Sequence, residues 1–147
     1  MILLEESIEV SASPESAFNY VADFSSTQEW DPGVARASRV GSGQIGVGTE
    51  FDVVTVFRGR EMPMRYRLIE YDPPSCVVLA GSGKTIAGTD TISFEPLENG
   101  GTRVNYLAEL EPKGPLKLAA PFMGKTFEGI GKRAVAGLQS ALNAGTH

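Results

Sequence analysis

One carboxylate in the middle of the chain lies where it could take part in chemistry. Asp90 shares strand parity with Ile92 and Phe94, so an alternating strand would turn its side chain towards the interior with these apolar residues. A buried carboxylate without a partner is costly, and Asp90 must therefore accept a hydrogen bond or take up a proton. Tyr66 and Tyr106 fall on the same predicted inner face, where their hydroxyl groups can donate. Such a group can transfer protons, orient a ligand, or simply form a satisfied structural hydrogen-bond network.

The residue types that common catalytic sites require are scarce. The only histidine is His147 and the only cysteine is Cys76. Metal centres and nucleophile-base triads usually need several such side chains, so we expect neither a metal nor a cofactor. Residues 81–85 (GSGKT) end like a phosphate-binding loop, but Val78 stands where that loop needs a glycine. An ordinary hairpin turn is predicted there.

Length, charge and hydropathy exclude several classes of protein. The chain has 147 residues, enough for a real core, and we predict a single domain over residues 1–147. A formal net charge of −5, without a basic stripe of interleaved aromatic residues, argues against nucleic acid as a partner. No apolar run approaches the ~20 residues of a membrane span, so stable membrane insertion is not expected. The acidic amino-terminal segment and the lone cysteine favour a cytoplasmic location.

Hydrophobic periodicity predicts the elements that would position these side chains. Alternation over residues 2–10 indicates a first strand. Ser13, a good helix N-cap, opens a segment of two short helices that ends near residue 30. After a glycine-rich loop at residues 41–48, further alternation to residue 111 indicates an antiparallel meander. The loop is predicted to be either a flexible hairpin or a gate.

The carboxyl-terminal segment has the pattern of a long amphipathic helix. Between residues 122 and 142, apolar residues recur three or four positions apart: Met123, Phe127, Ile130, Ala134, Leu138 and Leu142. Glycines interrupt this pattern, and each costs up to ~1 kcal/mol relative to alanine unless close packing or free volume requires it. We therefore predict a helix over residues 122–142 that packs on the sheet and leaves room beneath it.

Several segments spread over nearly the whole chain carry a resemblance to a known superfamily. They are residues 13–23 (SPESAFNYVAD), Trp30-Asp31-Pro32, Gly48-Thr49, Glu70-Tyr71-Asp72-Pro73-Pro74, Phe94-Glu95-Pro96, Gly101-Thr102-Arg103-Val104 and Gly114-Pro115-Leu116. With the predicted order of elements, the chain resembles the START-like (SRPBCC) superfamily, and more closely its bacterial polyketide cyclase/dehydrase branch. None of these segments is catalytic, so the resemblance speaks for the fold rather than for an activity.

The resemblance implies an α+β helix-grip fold, in which a curved antiparallel sheet of about seven strands wraps around the long terminal helix. Two short helices follow the first strand. It also implies an internal apolar cavity, which in relatives holds lipids, polyketides or other hydrophobic ligands. The residues predicted to line that cavity are Trp30, Phe51, Val53, Thr55, Phe57, Met64, Tyr66, Leu68, Asp90, Tyr106, Phe122, Met123, Phe127 and Ile130. Trp30 is alternatively a plain packing residue.

Three functions remain open at this point. The first is a binding or carrier protein for a hydrophobic small molecule of lipid or polyketide type, which needs no cofactor. The second is a polyketide aromatase/cyclase or dehydratase, for which Asp90, Tyr66 and Tyr106 are the catalytic candidates. The third is a stress or partner-regulatory module whose cavity is incidental. The lack of an internal histidine favours the first.

Overall fold

The computed structural model describes residues 1–143, which contain one antiparallel sheet of seven strands. The strands are β1 (Ile2–Val10), β2 (Val34–Val40), β3 (Glu50–Phe57), β4 (Arg60–Asp72), β5 (Cys76–Ser82), β6 (Ile86–Pro96) and β7 (Thr102–Pro112). Their order across the curved sheet is β1-β7-β6-β5-β4-β3-β2. Every strand from β2 to β7 thus pairs with its neighbour in sequence, and β1 closes the series by pairing with β7. The meander predicted after the glycine-rich loop is confirmed as β3 to β7, whereas β2, which precedes that loop, was not predicted.

The helices lie before and after this meander. They are α1 (Pro14–Ala22), α2 (Thr27–Trp30), α3 (Pro115–Ala119) and α4 (Gly124–Asn143), with 3-10 turns at Phe24–Ser26 and Ala120–Phe122. The long helix begins at Gly124 and not at Phe122 as the sequence predicted. The reason is Met123, whose backbone (φ −113°, ψ 12°) is not helical and whose N–H closes the preceding 3-10 turn by bonding to the carbonyl oxygen of Ala120.

Local sequence explains why α1 forms where it does. The side chain of Ser13 accepts a hydrogen bond from the backbone N–H of Ser16 at 3.2 Å, and Pro14 occupies the first helical position. The buried face of the helix includes Phe18, which is fully buried. Its ring packs edge-on against the ring of Phe94, with centroids 5.5 Å apart. The helix is therefore anchored against one end of the sheet.

Helix α4 packs along β1 and α2, and one glycine makes the second contact possible. A Cβ atom on Gly137 would overlap the carbonyl oxygen of Trp30, at the end of α2. Gly131 similarly faces Leu4 of β1, where an added Cβ would lie 3.4 Å from the leucine side chain. The sequence prediction that helix glycines serve close packing thus holds for Gly137, whereas Gly124 faces open space.

Candidate ligand cavity

A cavity of about 490 Å³ lies between the inner face of the sheet and α4. Its volume falls within the range of pockets that hold small organic ligands. Eight of the residues predicted to face a cavity do line it: Thr55, Phe57, Met64, Tyr66, Asp90, Tyr106, Phe127 and Ile130. Whether they contact a ligand remains a prediction. A second, open depression shares Phe57, Met62, Met64 and Ile86 with this wall and extends to Val53 and Leu116.

Three further predicted residues are ordinary core. Phe51, Val53 and Leu68 are at most 2% exposed and do not line the cavity. The 3-10 turn after α1 covers this part of the inner face, where Phe24 lies edge-on to Phe51 with ring centroids 6.3 Å apart. Strand alternation placed these side chains on the correct face but could not show that another element fills the space above them.

Trp30, Phe122 and Met123 also lie outside the cavity wall, for different reasons. Trp30 is 3% exposed, donates its indole N–H to the hydroxyl of Ser26 at 3.1 Å, and packs edge-on against Tyr106. It is therefore a packing residue that contacts the cavity wall through Tyr106 but does not line the cavity itself. Met123 is buried in the core, whereas Phe122, in the 3-10 turn before α4, is 89% exposed.

Asp90 and Tyr106 form the polar centre of the cavity. Asp90 is 7% exposed and accepts a short hydrogen bond from the hydroxyl of Tyr106 on the adjacent strand. Burial raises the pKa of Asp90 to about 6; the bond from Tyr106 opposes this shift and the nearby charge of Asp31 adds to it. Burial, and next the charge of Asp90, raise the pKa of the Tyr106 phenol. Near neutral pH the pair can hold or exchange a proton.

Tyr66 places a second phenol in the wall. This residue is 9% exposed, and within residues 1–143 its hydroxyl has only the sulfur of Met64 as a partner, at 3.8 Å. Burial is the first cause of its raised pKa, followed by the charges of Asp90 and Asp31. The ring is seated over Gly81, its register partner on β5, where an added Cβ would lie 2.6 Å from a ring carbon. Gly81 thus provides the space that Tyr66 occupies.

Four charged residues of the wall were not predicted: Glu6, Asp31, Arg58 and Arg133. Glu6 shares strand parity with Leu4 and Ile8, so the alternation of β1 could have revealed it. Asp31 lies in the turn after α2, where no periodic signal exists. It accepts a hydrogen bond from the N–H of Gly33 at 2.8 Å, and burial raises its pKa despite that bond.

The two arginines sit on exposed parts of the wall. Arg58 occupies the β3-β4 turn with a positive φ of 52°, beside Gly59, and its guanidinium lies 5.3 Å from the ring centroid of Phe57. A left-handed residue followed by glycine suits a tight two-residue hairpin. Arg133 lies on the exposed side of α4. The buried polar part of the wall is therefore acidic and phenolic, and the basic groups face solvent.

Residues 1–143 contain neither a larger cluster of potential metal ligands nor a membrane-spanning helix. Residues 1–143 contain no cluster of three or more histidine, cysteine, aspartate or glutamate side chains suited to a metal ion. Within the same range, none of the helices combines the length and apolar character needed to span a bilayer.

The chain belongs to the polyketide cyclase/dehydrase and lipid transport family, whose model matches residues 1–143. The resemblance inferred from the sequence is thereby confirmed. No curated protein sequence matches the chain. The family covers both enzymes and carriers by its own description, so membership leaves the choice between catalysis and transport to the site itself.

Solved structures similar to this chain support the START-like helix-grip fold. The protein TTHA0849 from Thermus thermophilus has a TM-score of 0.82 at 19% identity, with 99% of each chain covered. A START superfamily protein from Mycobacterium smegmatis has a TM-score of 0.77 at 16% identity, covering 95% of this chain and 96% of its own. The Zhui aromatase/cyclase from Streptomyces sp. R1128 has a TM-score of 0.75 at 11% identity, covering 95% and 90%. At these identities the similarity concerns the fold.

Proposed function

We propose that this protein binds and carries a hydrophobic small molecule in the cavity between the sheet and α4. The observation that supports the proposal is the cavity of about 490 Å³, walled largely by apolar side chains that do not fill it. Burying ~400 Å² of apolar ligand surface at ~25 cal/mol per Å² contributes about 10 kcal/mol before the cost of association. With an association cost at the low end of its range, about 4 kcal/mol, roughly 6 kcal/mol remains, which corresponds to an affinity of tens of micromolar.

A cavity-filling substitution tests this proposal against a matched control on the same strand. Ala108 lines the cavity on β7, and Leu107 next to it points to the opposite face of the sheet. We expect Ala108→Phe to weaken the binding of an environment-sensitive hydrophobic dye at least ~10-fold, about 1.4 kcal/mol, and Leu107→Phe to leave it nearly unchanged.

Native mass spectrometry of the purified protein provides an independent measurement. A retained apolar molecule should be seen with the unchanged protein and with Leu107→Phe, and should be lost from Ala108→Phe. Equal dye binding by the two variants, with both folded by circular dichroism, would contradict a ligand site in this cavity.

The buried Asp90–Tyr106 pair supports a second candidate, a polyketide aromatase/cyclase or dehydratase. A carboxyl group with a pKa of about 6 can accept and return a proton near neutral pH, and once Asp90 is protonated the hydroxyl of Tyr106 is free to donate to a developing oxyanion. If so, Asp90→Asn should reduce turnover of a poly-β-keto thioester by ~10²-fold or more while dye binding is largely kept. Dye binding without any turnover by the unchanged protein would favour the carrier.

A further inference from the structure

The charges of the cavity wall are arranged unevenly. Its acidic residues come from three elements: Glu6 from β1, Asp31 from the turn after α2, and Asp90 from β6. The only basic residues among the described wall residues are Arg58 and Arg133, which are both exposed. A ligand in contact with the buried polar centre therefore meets carboxylates and phenols and no cation.

Two buried polar groups in the wall have unused hydrogen-bonding capacity. One oxygen of the Asp90 carboxylate accepts from Tyr106, and its other oxygen has no partner among the described residues. The hydroxyl of Tyr66 has only a long contact to the sulfur of Met64. Both side chains are more than nine-tenths buried. Among the described residues only Arg39 Nε is both buried and without a partner, so the free Asp90 oxygen has accessible area. Because Asp90 and Tyr66 line the cavity, a ligand there can supply the missing bond.

We propose that the cavity is selective for hydrophobic amines, whose protonated amino group pairs with Asp90 while the apolar body lies along the wall. This inference rests on the proposed ligand-binding function. An ammonium group carries up to three donors, enough for the free oxygen of Asp90 and further acceptors. Charge-assisted hydrogen bonds are roughly twice as strong as neutral ones. The pair also neutralises a charge that is otherwise buried without a counter-ion.

Ligands with other head groups fit this centre less well. A carboxylate or phosphate head would be repelled by the charges of Glu6, Asp31 and Asp90 unless it turned outward to Arg58 or Arg133. An alcohol can bond to Asp90 and Tyr66 but leaves the buried charge uncompensated. The expected order of affinity at one chain length is therefore amine, then alcohol, then acid.

Three ligands that differ only in the head group test the proposal on the intact chain. Decylamine, decanol and decanoate compete with a hydrophobic dye at pH 7.5, below the concentrations at which they form micelles. We expect decylamine to displace the dye at about 10-fold lower concentration than decanol, a difference of about 1.4 kcal/mol, and decanoate to be the weakest. In Asp90→Asn the amine advantage should shrink to about 2-fold, with decanol little changed.

Two further variants separate the charge of Asp90 from its effect on folding. Asp72→Asn removes an exposed carboxylate at the end of β4 and should keep the full amine advantage. Tyr106→Phe keeps the carboxyl group but removes the donor that favours its ionised form, so the amine advantage should fall at pH 7.5 and return as the pH is raised. In the unchanged protein, lowering the pH from 7.5 to 5 should protonate Asp90 and abolish the preference for the amine over the alcohol.

The outcomes distinguish this inference from the proposed function. If neither the dye nor any of the three ligands binds, the ligand-binding function fails and the inference fails with it. If all three bind but decanol or decanoate equals decylamine, only the amine inference is overturned. An amine advantage that survives both Asp90→Asn and pH 5 would show that Asp90 is not its source, and would overturn the inference too.

Discussion

The ring of Phe57, at the end of β3, stacks on the ring of Phe127 in α4, with centroids 6.0 Å apart and planes only 5° from parallel. Both residues line the cavity, and Phe57 is next to the exposed turn that contains Arg58. The contact therefore joins the tip of the β3-β4 hairpin to the long helix. Any ligand that passes between these two elements must separate the two rings.

Loss of this stacked contact should accelerate ligand exchange. Aromatic pairs contribute about 0.5–1.5 kcal/mol beyond their burial, so we expect Phe57→Ala to increase the dissociation rate of a bound hydrophobic dye by about 3- to 10-fold. Stopped-flow fluorescence measures this rate. Ile69→Ala, which truncates a 44% exposed side chain outside the cavity wall, is the control and should leave the rate unchanged. Equal rates in both variants would place the entry route elsewhere.

The raised pKa of Asp90 predicts a particular dependence of stability on pH. An unfolded chain loses this proton near pH 4 and the folded protein near pH 6, so between these values the folded state holds more protons. Stability should therefore fall as the pH rises from 4 to 6, by up to about 3 kcal/mol from this residue. Asp31, whose pKa is also raised, acts in the same direction.

Asp90→Asn should flatten that decline, and the change can be followed as the urea midpoint at several pH values. Part of the decline should remain because Asp31 is still present. Asp72→Asn is the control, because it removes an exposed carboxylate. A decline of undiminished size in Asp90→Asn would mean that this carboxyl group does not titrate as the buried position implies.

Gly137 predicts an exception to the usual effect of replacing a helix glycine. Alanine favours a helix by ~1 kcal/mol over glycine, but its Cβ at position 137 would overlap the carbonyl oxygen of Trp30. We expect Gly137→Ala to destabilise the protein by about 1–3 kcal/mol, as overpacking does. Gly124→Ala, at the start of the same helix and facing open space, should be neutral or slightly stabilising. Chemical denaturation compares the two, and similar effects would contradict the close contact between α4 and α2.

The close packing of the Tyr66 ring on Gly81 predicts that removing the ring rescues part of the stability lost on substituting Gly81. Gly81→Ala should destabilise the protein by about 1–3 kcal/mol, because the new methyl group meets carbons of the Tyr66 ring at 2.6–2.8 Å. The double variant with Tyr66→Leu removes the ring and should recover part of that loss relative to Tyr66→Leu alone. A double-mutant cycle measured by urea denaturation gives the coupling. Strict additivity would show that the ring does not depend on the space above Gly81.

Local patterns in the sequence predicted most of the elements, though not β2 or the start of α4, and also which face of a strand is buried. Ser13 and Pro14 mark the start of α1 because capping depends on neighbouring residues only. The alternation around Asp90 indicates its inward direction because side chains on a strand change face at every residue. The same rule places Glu6 on the inner face of β1, together with Leu4 and Ile8.

Only the tertiary structure decided which parts of the inner face remain open. Phe51 and Tyr66 are register partners on the same face, and Phe24 packs against both rings, with centroids 6.3 Å and 4.9 Å away. Only Tyr66 of the two lines the cavity, whereas Phe51 is fully buried. Asp31 joins Asp90 at the cavity although the two are far apart in sequence. Strand periodicity determines which face of the sheet a side chain points to. Whether that side chain is then covered depends on where helices from distant parts of the chain pack. Cavity, charge arrangement and unpaired polar atoms therefore follow from packing between elements.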